Sequence, residues 1–395
     1  MGPVVFVTDG EQRAALAVTR SLGRARYLVH VGAVSLPSLA GASRWCRGEH
    51  AVPDALREPE AFAEAVGRLC SRLGVRVLLP ITDASVLAIL PRVELLGAAC
   101  VPFPPLATVR RIADKALVTR KASELGVKVP DQVVLSDRAG TEWLRLRFPL
   151  VVKPHRSVFE VDGGATRRKL GVIHVAAPPK LQAVLGSLPS EAFPVLLQER
   201  LLGDGVGVFL LLWDGRRLAF FGHRRIREKP PAGGVSVYAE SVRVDPDLLG
   251  QAERLLRAFD WRGVAMVEFK RDTAGVPHLM EINGRFWGSL QLAIDAGVDF
   301  PRLLVDAALG RPVEPVEQYR IGVRTRWWWG EVDHLLARFR RSARTLDLPP
   351  GAPGRIRAVW DFAVAGLRRD TRNEVLRLDD PRPALREARD WIRGR

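Results

Sequence analysis

The chain has 395 residues, 47% of them hydrophobic and 26% charged. It is long enough for two or three domains with cores of their own, and too apolar to be a disordered polymer. Its net charge of +16 rests on 52 Arg and 8 Lys against 44 acidic residues, but without a Lys/Arg run, a zinc finger or an aromatic–glycine RNA motif nucleic acid is not expected as the main partner; an anionic substrate would use the same field.

The first elements alternate strand and helix. Residues 4–8 form a short apolar run, residues 12–22 carry apolar side chains at helical spacing, and Tyr27 to Val31 is again strand-like. Pro59 to Leu73 reads as a helix with Phe62, Val66, Leu69 and Leu73 on one face; Arg76 to Pro80 reads as a strand. This alternation predicts a parallel sheet covered on both faces. The first turn, Asp9-Gly10, lacks the Gly-x-Gly-x-x-Gly pattern of dinucleotide-binding folds. Cys46, Cys70 and Cys100 fall in no pair motif, so neither a disulfide framework nor a zinc site is expected. No run reaches the ~18 apolar residues of a membrane span, and no signal peptide is visible, which makes the cytosol the expected compartment.

Pro102 to Leu106 reads as a linker, and Val109 to Leu125 as one helix ending at Gly126. Beyond Pro149 the periodicity changes. Strands are expected at Leu150–Pro154, Leu170–Val175, Val195–Glu199 and Val208–Trp213, with Arg217–His223 returning antiparallel after the turn Asp214-Gly215. A helix over Leu248–Phe259, a strand pair over Gly263–Lys270 and Pro277–Ile282, and helices over Gln291–Ala296 and Phe300–Leu309 complete an α+β body. Further on, Val332–Arg341 and Arg382–Ile392 look like surface helices.

The chemistry concentrates in that strand pair. Glu268 and Glu281 sit in otherwise apolar strands, where an unpaired carboxylate is costly. Residues i and i+2 share a strand face, so Glu281 and Asn283 point the same way. With Glu268 from the neighbouring strand they make an all-oxygen donor set suited to Mg²⁺, which also takes water and phosphate oxygens. Arg285 shares their parity and would suit a phosphoryl group. Structural salt bridges to nearby arginines are the plainer alternative. Lys153 reads either as a phosphate-binding point charge or as a lysine snorkelling at a sheet edge. The turn Asp162-Gly163-Gly164-Ala165 is either an ordinary hairpin or a lid whose N–H groups touch phosphate.

Together these segments resemble the ATP-grasp superfamily over about residues 1–310, in particular its carbamoyl-phosphate-synthase-type and carboxylate–amine ligase members. The resemblance implies a pre-ATP-grasp, Rossmann-like α/β domain at 1–108 and a two-lobed α+β ATP-grasp domain at 109–310. Its lid lobe would run over about 115–197 and its C-terminal lobe over about 198–310, followed by an accessory segment at 311–395. By the same resemblance Lys115 and Lys153 are phosphate lysines and Gln198-Glu199-Arg200-Leu201 is the hinge. The backbones of Glu199 and Leu201 would then meet adenine and Asp204 the ribose. Glu268, Glu281 and Asn283 would hold Mg²⁺ (or Mn²⁺), and Arg285 would contact phosphate and acyl phosphate. The implied cofactor is ATP. The implied reaction activates a carboxylate as an acyl phosphate and transfers the acyl group to an amine, the two small-molecule substrates being the expected partners. Carboxyphosphate or carbamate chemistry on bicarbonate is the related alternative, and a non-catalytic nucleotide- or nucleic-acid-binding protein the distant one. Homodimers are common among such folds. The sequence departs from the family pattern in its short lid, in Gly284, where proline or another small residue is common, and in Arg200, where an aromatic is frequent.

Two features fall outside that core. The basic stretch from Gly222 to Pro231, followed by Ala232-Gly233-Gly234, is the best candidate for substrate contact, with Arg225 as an anion ligand. Its alternative is a solvated, basic edge strand. His223 reads as a packed histidine more readily than as a base. Trp327-Trp328-Trp329 fits core packing, an aromatic substrate pocket or a membrane-surface patch.

Overall fold

The computed structural model describes residues 2–161, 166–343, 345–346, 348, 351–368 and 370–394. The expected glycine-rich turn, Asp162-Gly163-Gly164-Ala165, lies outside these.

The first hundred residues form a four-stranded, all-parallel sheet. Its elements are β1 (Val4–Val7), α1 (Arg13–Arg24), β2 (Leu28–Ala33), β3 (Cys46–Ala51), α2 (Pro59–Leu73), β4 (Val75–Leu79) and α3 (Asp83–Ile89), in the strand order β3-β2-β1-β4. The alternation of apolar runs foretells this layer, but not β3: Cys46-Arg47-Gly48-Glu49-His50-Ala51 has no apolar pattern because it is an edge strand.

The helix expected over Val109–Leu125 is two helices, α4 (Leu106–Ala113) and α5 (Lys115–Glu124). The break is Asp114. Its backbone is extended, and its carboxylate accepts a hydrogen bond from Leu117 N at 3.0 Å, so it caps α5. The break makes Lys115 the first residue of a helix rather than the middle of one, and its N–H donates to the His155 carbonyl at 2.8 Å.

A second sheet follows, in the order β5-β10-β6-β9, from β5 (Gln132–Leu135), β6 (Leu150–Pro154), a separate hairpin β7 (Val158–Val161) and β8 (Thr166–Lys169), β9 (Ile173–Val175), helix α6 (Pro178–Ser187) and β10 (Val195–Glu199). The third sheet is the largest. Its strands are β11 (Gly205–Trp213), β12 (Arg216–Lys229) and β13 (Val235–Ser241), then, after α7 (Pro246–Arg257), β14 (Gly263–Arg271) and β15 (Pro277–Asn283). Helices α8 (Leu290–Ala296) and α9 (Phe300–Ala308) follow. The C-terminal segment gives β16 (Arg324–Arg326), α10 (Trp328–Arg340), α11 (Arg355–Leu367), β17 (Thr371–Asn373) and α12 (Arg382–Ile392). Its two strands extend the third sheet to seven, ordered β15-β14-β11-β12-β13-β16-β17. One core joins the front layer to this sheet: Val5, Leu16 and Leu79 share a buried cluster with Phe209, Phe221, Trp287 and Leu290.

Two of the three tryptophans serve packing, while Trp328 stays about half exposed. Trp327 lies under the Arg13 guanidinium and donates its indole N–H to Glu387 at 2.6 Å, while Trp329 stacks on Trp391. Among the described residues no helix is long and apolar enough to cross a membrane.

Candidate active site

The second and third sheets face each other across a cleft that opens into one cavity of about 1050 Å³. Ten of the eleven candidate residues line it: Lys115, Lys153, Glu199, Leu201, Asp204, Arg225, Glu268, Glu281, Asn283 and Arg285. The eleventh, Gln198, stands behind the wall. Its side-chain oxygen accepts from Lys153 Nζ at 2.7 Å, and its amide nitrogen donates to Gln132 Oε1 at 2.9 Å.

The floor is a row across five strands. Register sets Ser241 beside His223, His223 beside Gly207, Gly207 beside Glu268 and Glu268 beside Glu281. Gly207 keeps the row open: a Cβ there would fall 2.9 Å from His223 Nε2 and 2.7 Å from the Phe209 ring. Asn283 lies on the Glu281 face, as the two-residue period requires, and donates its amide to Glu281 Oε1 at 3.0 Å. Arg285 reaches Asn283 Oδ1 at 3.2 Å and pairs at 3.1 Å with Asp83, brought in by α3 of the front layer.

Arg225 is not on an edge. β12 is an interior strand, and the guanidinium sits between Glu268 at 2.6 Å and Glu228 at 2.9 Å. His223 is buried with its ring edge-on to Phe209, 4.7 Å between centroids, and Nδ1 3.3 Å from Ser289 Oγ. Burial, with the Arg225 charge adding to it, pushes its pKa down to about 3, so the imidazole is neutral at physiological pH.

The lysines face this floor. Lys115 Nζ donates to Ser157 Oγ at 2.8 Å and stands 3.8 Å from Glu281 Oε2. Lys153 is buried, and loss of solvent lowers its pKa to about 8 despite the opposite pull of Glu281. Burial, reinforced by the charge of Glu281, raises the Glu268 carboxyl against the pull of Arg225. Burial acts the same way on Glu281, but Lys115 and Lys153 outweigh it and hold that carboxyl below its ordinary range. Two facing carboxylates, one destabilised by the other, with an amide oxygen on the same face, make a donor set that a divalent cation would relieve. Among the described residues no cluster of three or more His, Cys, Asp or Glu has metal-binding geometry; the set here is two carboxylates and an amide, so phosphate and water would have to complete it.

Sequence reasoning missed the residues that the front layer and C-terminal segment add. Arg13 of α1, Asp83 of α3, Lys270 of β14 and Arg338 of α10 all line the cavity. Only Thr82-Asp83, a helix-capping pair after an apolar strand, left a sequence signal.

A parallel front sheet, a smaller antiparallel sheet and a large one bearing the carboxylate row, closed around one cleft, decide the architecture. The chain has the ATP-grasp fold. A family model described as "ATP-grasp in the biosynthetic pathway with Ter operon" matches residues 191–330. No curated protein matches the chain significantly. Many solved structures are similar to the chain, and three of them serve as examples. L-amino acid ligase from Bacillus licheniformis aligns with a TM-score of 0.62 at 16% identity, over 79% of this chain and 75% of that one. N5-carboxyaminoimidazole synthetase from Staphylococcus aureus gives 0.62 at 14% identity, over 82% and 81%. Biotin carboxylase from Campylobacter jejuni gives 0.63 at 13% identity, over 81% and 74%. At these identities the likeness is one of fold.

Proposed function

We propose that the chain is an ATP-dependent ligase that activates a carboxylate as an acyl phosphate and passes the acyl group to an amine. The observation that carries this reading is the facing pair of charge sets: Glu268, Glu281 and Asn283 on one wall of the cleft, Lys115 and Lys153 on the other, with Arg285 at the end of the row.

In this reading Lys115 and Lys153 hold the phosphates of ATP as point charges. Glu268, Glu281 and Asn283 would hold Mg²⁺, which when bound supplies charge neutralisation on the phosphoryl group. A substrate carboxylate oxygen attacks the γ-phosphorus and the bond to the ADP oxygen breaks. The amine then attacks the acyl carbon and loses a proton as phosphate departs with the electrons of the C–O bond. Arg285, anchored by Asp83 and Asn283, is placed to hold the transferring group, and Arg225 to hold an anionic substrate once it releases Glu268. The backbone of Glu199 and Leu201 and the Asp204 carboxylate line the cavity where adenine and ribose would lie.

The second reading is activation of bicarbonate as carboxyphosphate. Its support is the likeness to the carboxyaminoimidazole synthetase and biotin carboxylase folds. The cavity of about 1050 Å³ exceeds the roughly 300–1,000 Å³ of one small-molecule site, which leaves room beside a nucleotide for a further substrate on either reading.

The test is phosphate release from Mg-ATP with pooled carboxylates and amines, and separately with bicarbonate, each positive pool followed by mass spectrometry. A condensed product establishes the ligase. Turnover with bicarbonate alone moves the assignment to the second reading. Glu281→Gln should lower Mg-dependent turnover by at least 100-fold with the fold intact; full activity in that variant removes the metal assignment.

A further inference from the structure

Helix α11 carries apolar residues on two sides. One side is turned inward: Ala358 and Ala365 are buried, and with Asp361, Val364 and, just past the helix, Arg368 they line the cavity. The other side faces solvent. Ile356, Val359, Trp360, Ala363 and Leu367 recur at the three- and four-residue spacing of one helix side, and all five are exposed, Ile356 by 88%, Trp360 by 68% and Leu367 by 85%. Single exposed apolar residues are ordinary; five along one side of one helix form a contiguous patch, which marks a contact surface.

The borders of the patch are basic. At 3.6 residues per turn the stripe spans roughly 100° of the helix, with Arg357 and Arg368 along one border and Arg355 along the other. Arg355 donates to the Arg338 carbonyl at 2.9 Å and to the Arg341 carbonyl at 3.2 Å, which sets the exposed end of α10, Arg340 and Arg341, beside the start of α11. Asp361, the one acidic residue of α11, lines the cavity and stands 3.9 Å from Arg357. By sequence, residues 338–368 carry seven Arg against two Asp.

Charge complementarity decides what covers the stripe. In a two-fold pair of chains the patch meets its own copy, and arginine borders would face arginine borders. An anionic lipid surface suits it instead. The apolar stripe enters the acyl boundary, the guanidinium groups snorkel back to the phosphates, and the tryptophan ring lies at the interface. Because α11 is already folded against the protein, docking adds no cost of ordering the helix.

We infer that α11 docks the protein on an anionic lipid surface, with its outer apolar stripe in the lipid and its arginine borders at the headgroups. The helix lies in the plane of the surface and does not cross it. Its inner side lines the cavity, so docking holds that cavity about one helix diameter from the lipid. The inference is independent of the reaction carried out in the cleft.

The experiment is flotation of the full chain with vesicles of one part phosphatidylglycerol to three of phosphatidylcholine, and with vesicles of phosphatidylcholine alone. The chain should float with the anionic vesicles and not with the neutral ones, and added salt should weaken the binding. Ile356→Ser combined with Leu367→Ser should lower vesicle affinity by at least about tenfold at an unchanged melting temperature, since both side chains already face solvent. Arg357→Glu should lower it by at least about fivefold, the scale of one basic residue near an anionic surface. No binding to anionic vesicles, or equal binding to both kinds, would overturn the inference. So would wild-type affinity in the double serine variant, which would leave only a diffuse attraction of charge. Self-association in sedimentation velocity that the same two serines abolish, without vesicle binding, would overturn it in favour of a second copy of the chain.

Discussion

Lys153 shows how one residue type carries either of two meanings until its neighbours are known. In sequence it is a lysine at the end of an apolar strand. In the structure it is buried in the cleft wall, its Nζ held by Gln198, with Glu281 and Lys115 in its field. An edge lysine would reach solvent and keep an ordinary pKa; burial brings this one down to about 8. The charged form is the one that binds phosphate. As pH rises through 8 the free protein loses that charge, and nucleotide binding must take up a proton. Mg-ATP affinity should therefore fall between pH 7 and 9, approaching tenfold per pH unit above 8, with proton uptake visible as a buffer-dependent enthalpy. Lys153→Arg keeps its charge throughout and should flatten the profile. Lys153→Ala should weaken nucleotide binding at every pH, and unchanged affinity would show that the lysine has no phosphate to hold.

At the scale of elements, the floor of the site is a matter of register. Glu268, Glu281 and Asn283 were legible because period-2 parity alone fixes which residues share a strand face, and the structure keeps that parity. Gly207 was not legible: nothing in Gly205-Val206-Gly207 says that the second glycine stands between a histidine and a carboxylate of two other strands. Its role follows from the space it leaves. A methyl at Gly207 would meet the Phe209 ring and His223 Nε2 well inside contact distance. Gly207→Ala should destabilise the fold by about 1–3 kcal/mol, as overpacking does, and should impair turnover beyond that loss by displacing Glu268 from its place beside Glu281. Chemical denaturation and activity measured well below the midpoint separate the two effects. The break at Asp114 was hidden for a related reason. Helical periodicity continues through it, and only a capping hydrogen bond to Leu117 shows that the chain restarts there. α11 was hidden because one of its faces lines a cavity and Ile356, Trp360 and Leu367 on it remain exposed, so its apolar residues mark no single stripe.

At the scale of the molecule, the site is closed by parts of the chain far apart in sequence, and the means of closure is ionic. Arg20 of α1 is fully buried. Its Nε donates to Asp380 at 2.8 Å, and its remaining nitrogens donate to the carbonyls of Glu374, Val375 and Asp380. Asp380 also accepts from Ser43 Oγ at 2.7 Å and Arg44 N at 2.9 Å. The segment between β17 and α12 is thus fastened to the front layer, and the same segment carries Glu374, which pairs with the cavity-lining Arg13. A surface pair would contribute at most about 1 kcal/mol. Here both side chains are out of water, and removing one leaves the other as an unpaired buried charge. Asp380→Ala should cost about 3–5 kcal/mol, read as a lowered denaturation midpoint with an unchanged slope. Arg13 reaches the Ser236 carbonyl of β13 at 3.4 Å, whereas Lys115 and Lys153 belong to other elements; on the ligase reading the same variant, assayed where it remains folded, should raise KM for the second substrate while leaving Mg-ATP affinity within about twofold. An equal loss on both substrates would mean that the arm stabilises the whole cleft rather than the part that Arg13 lines.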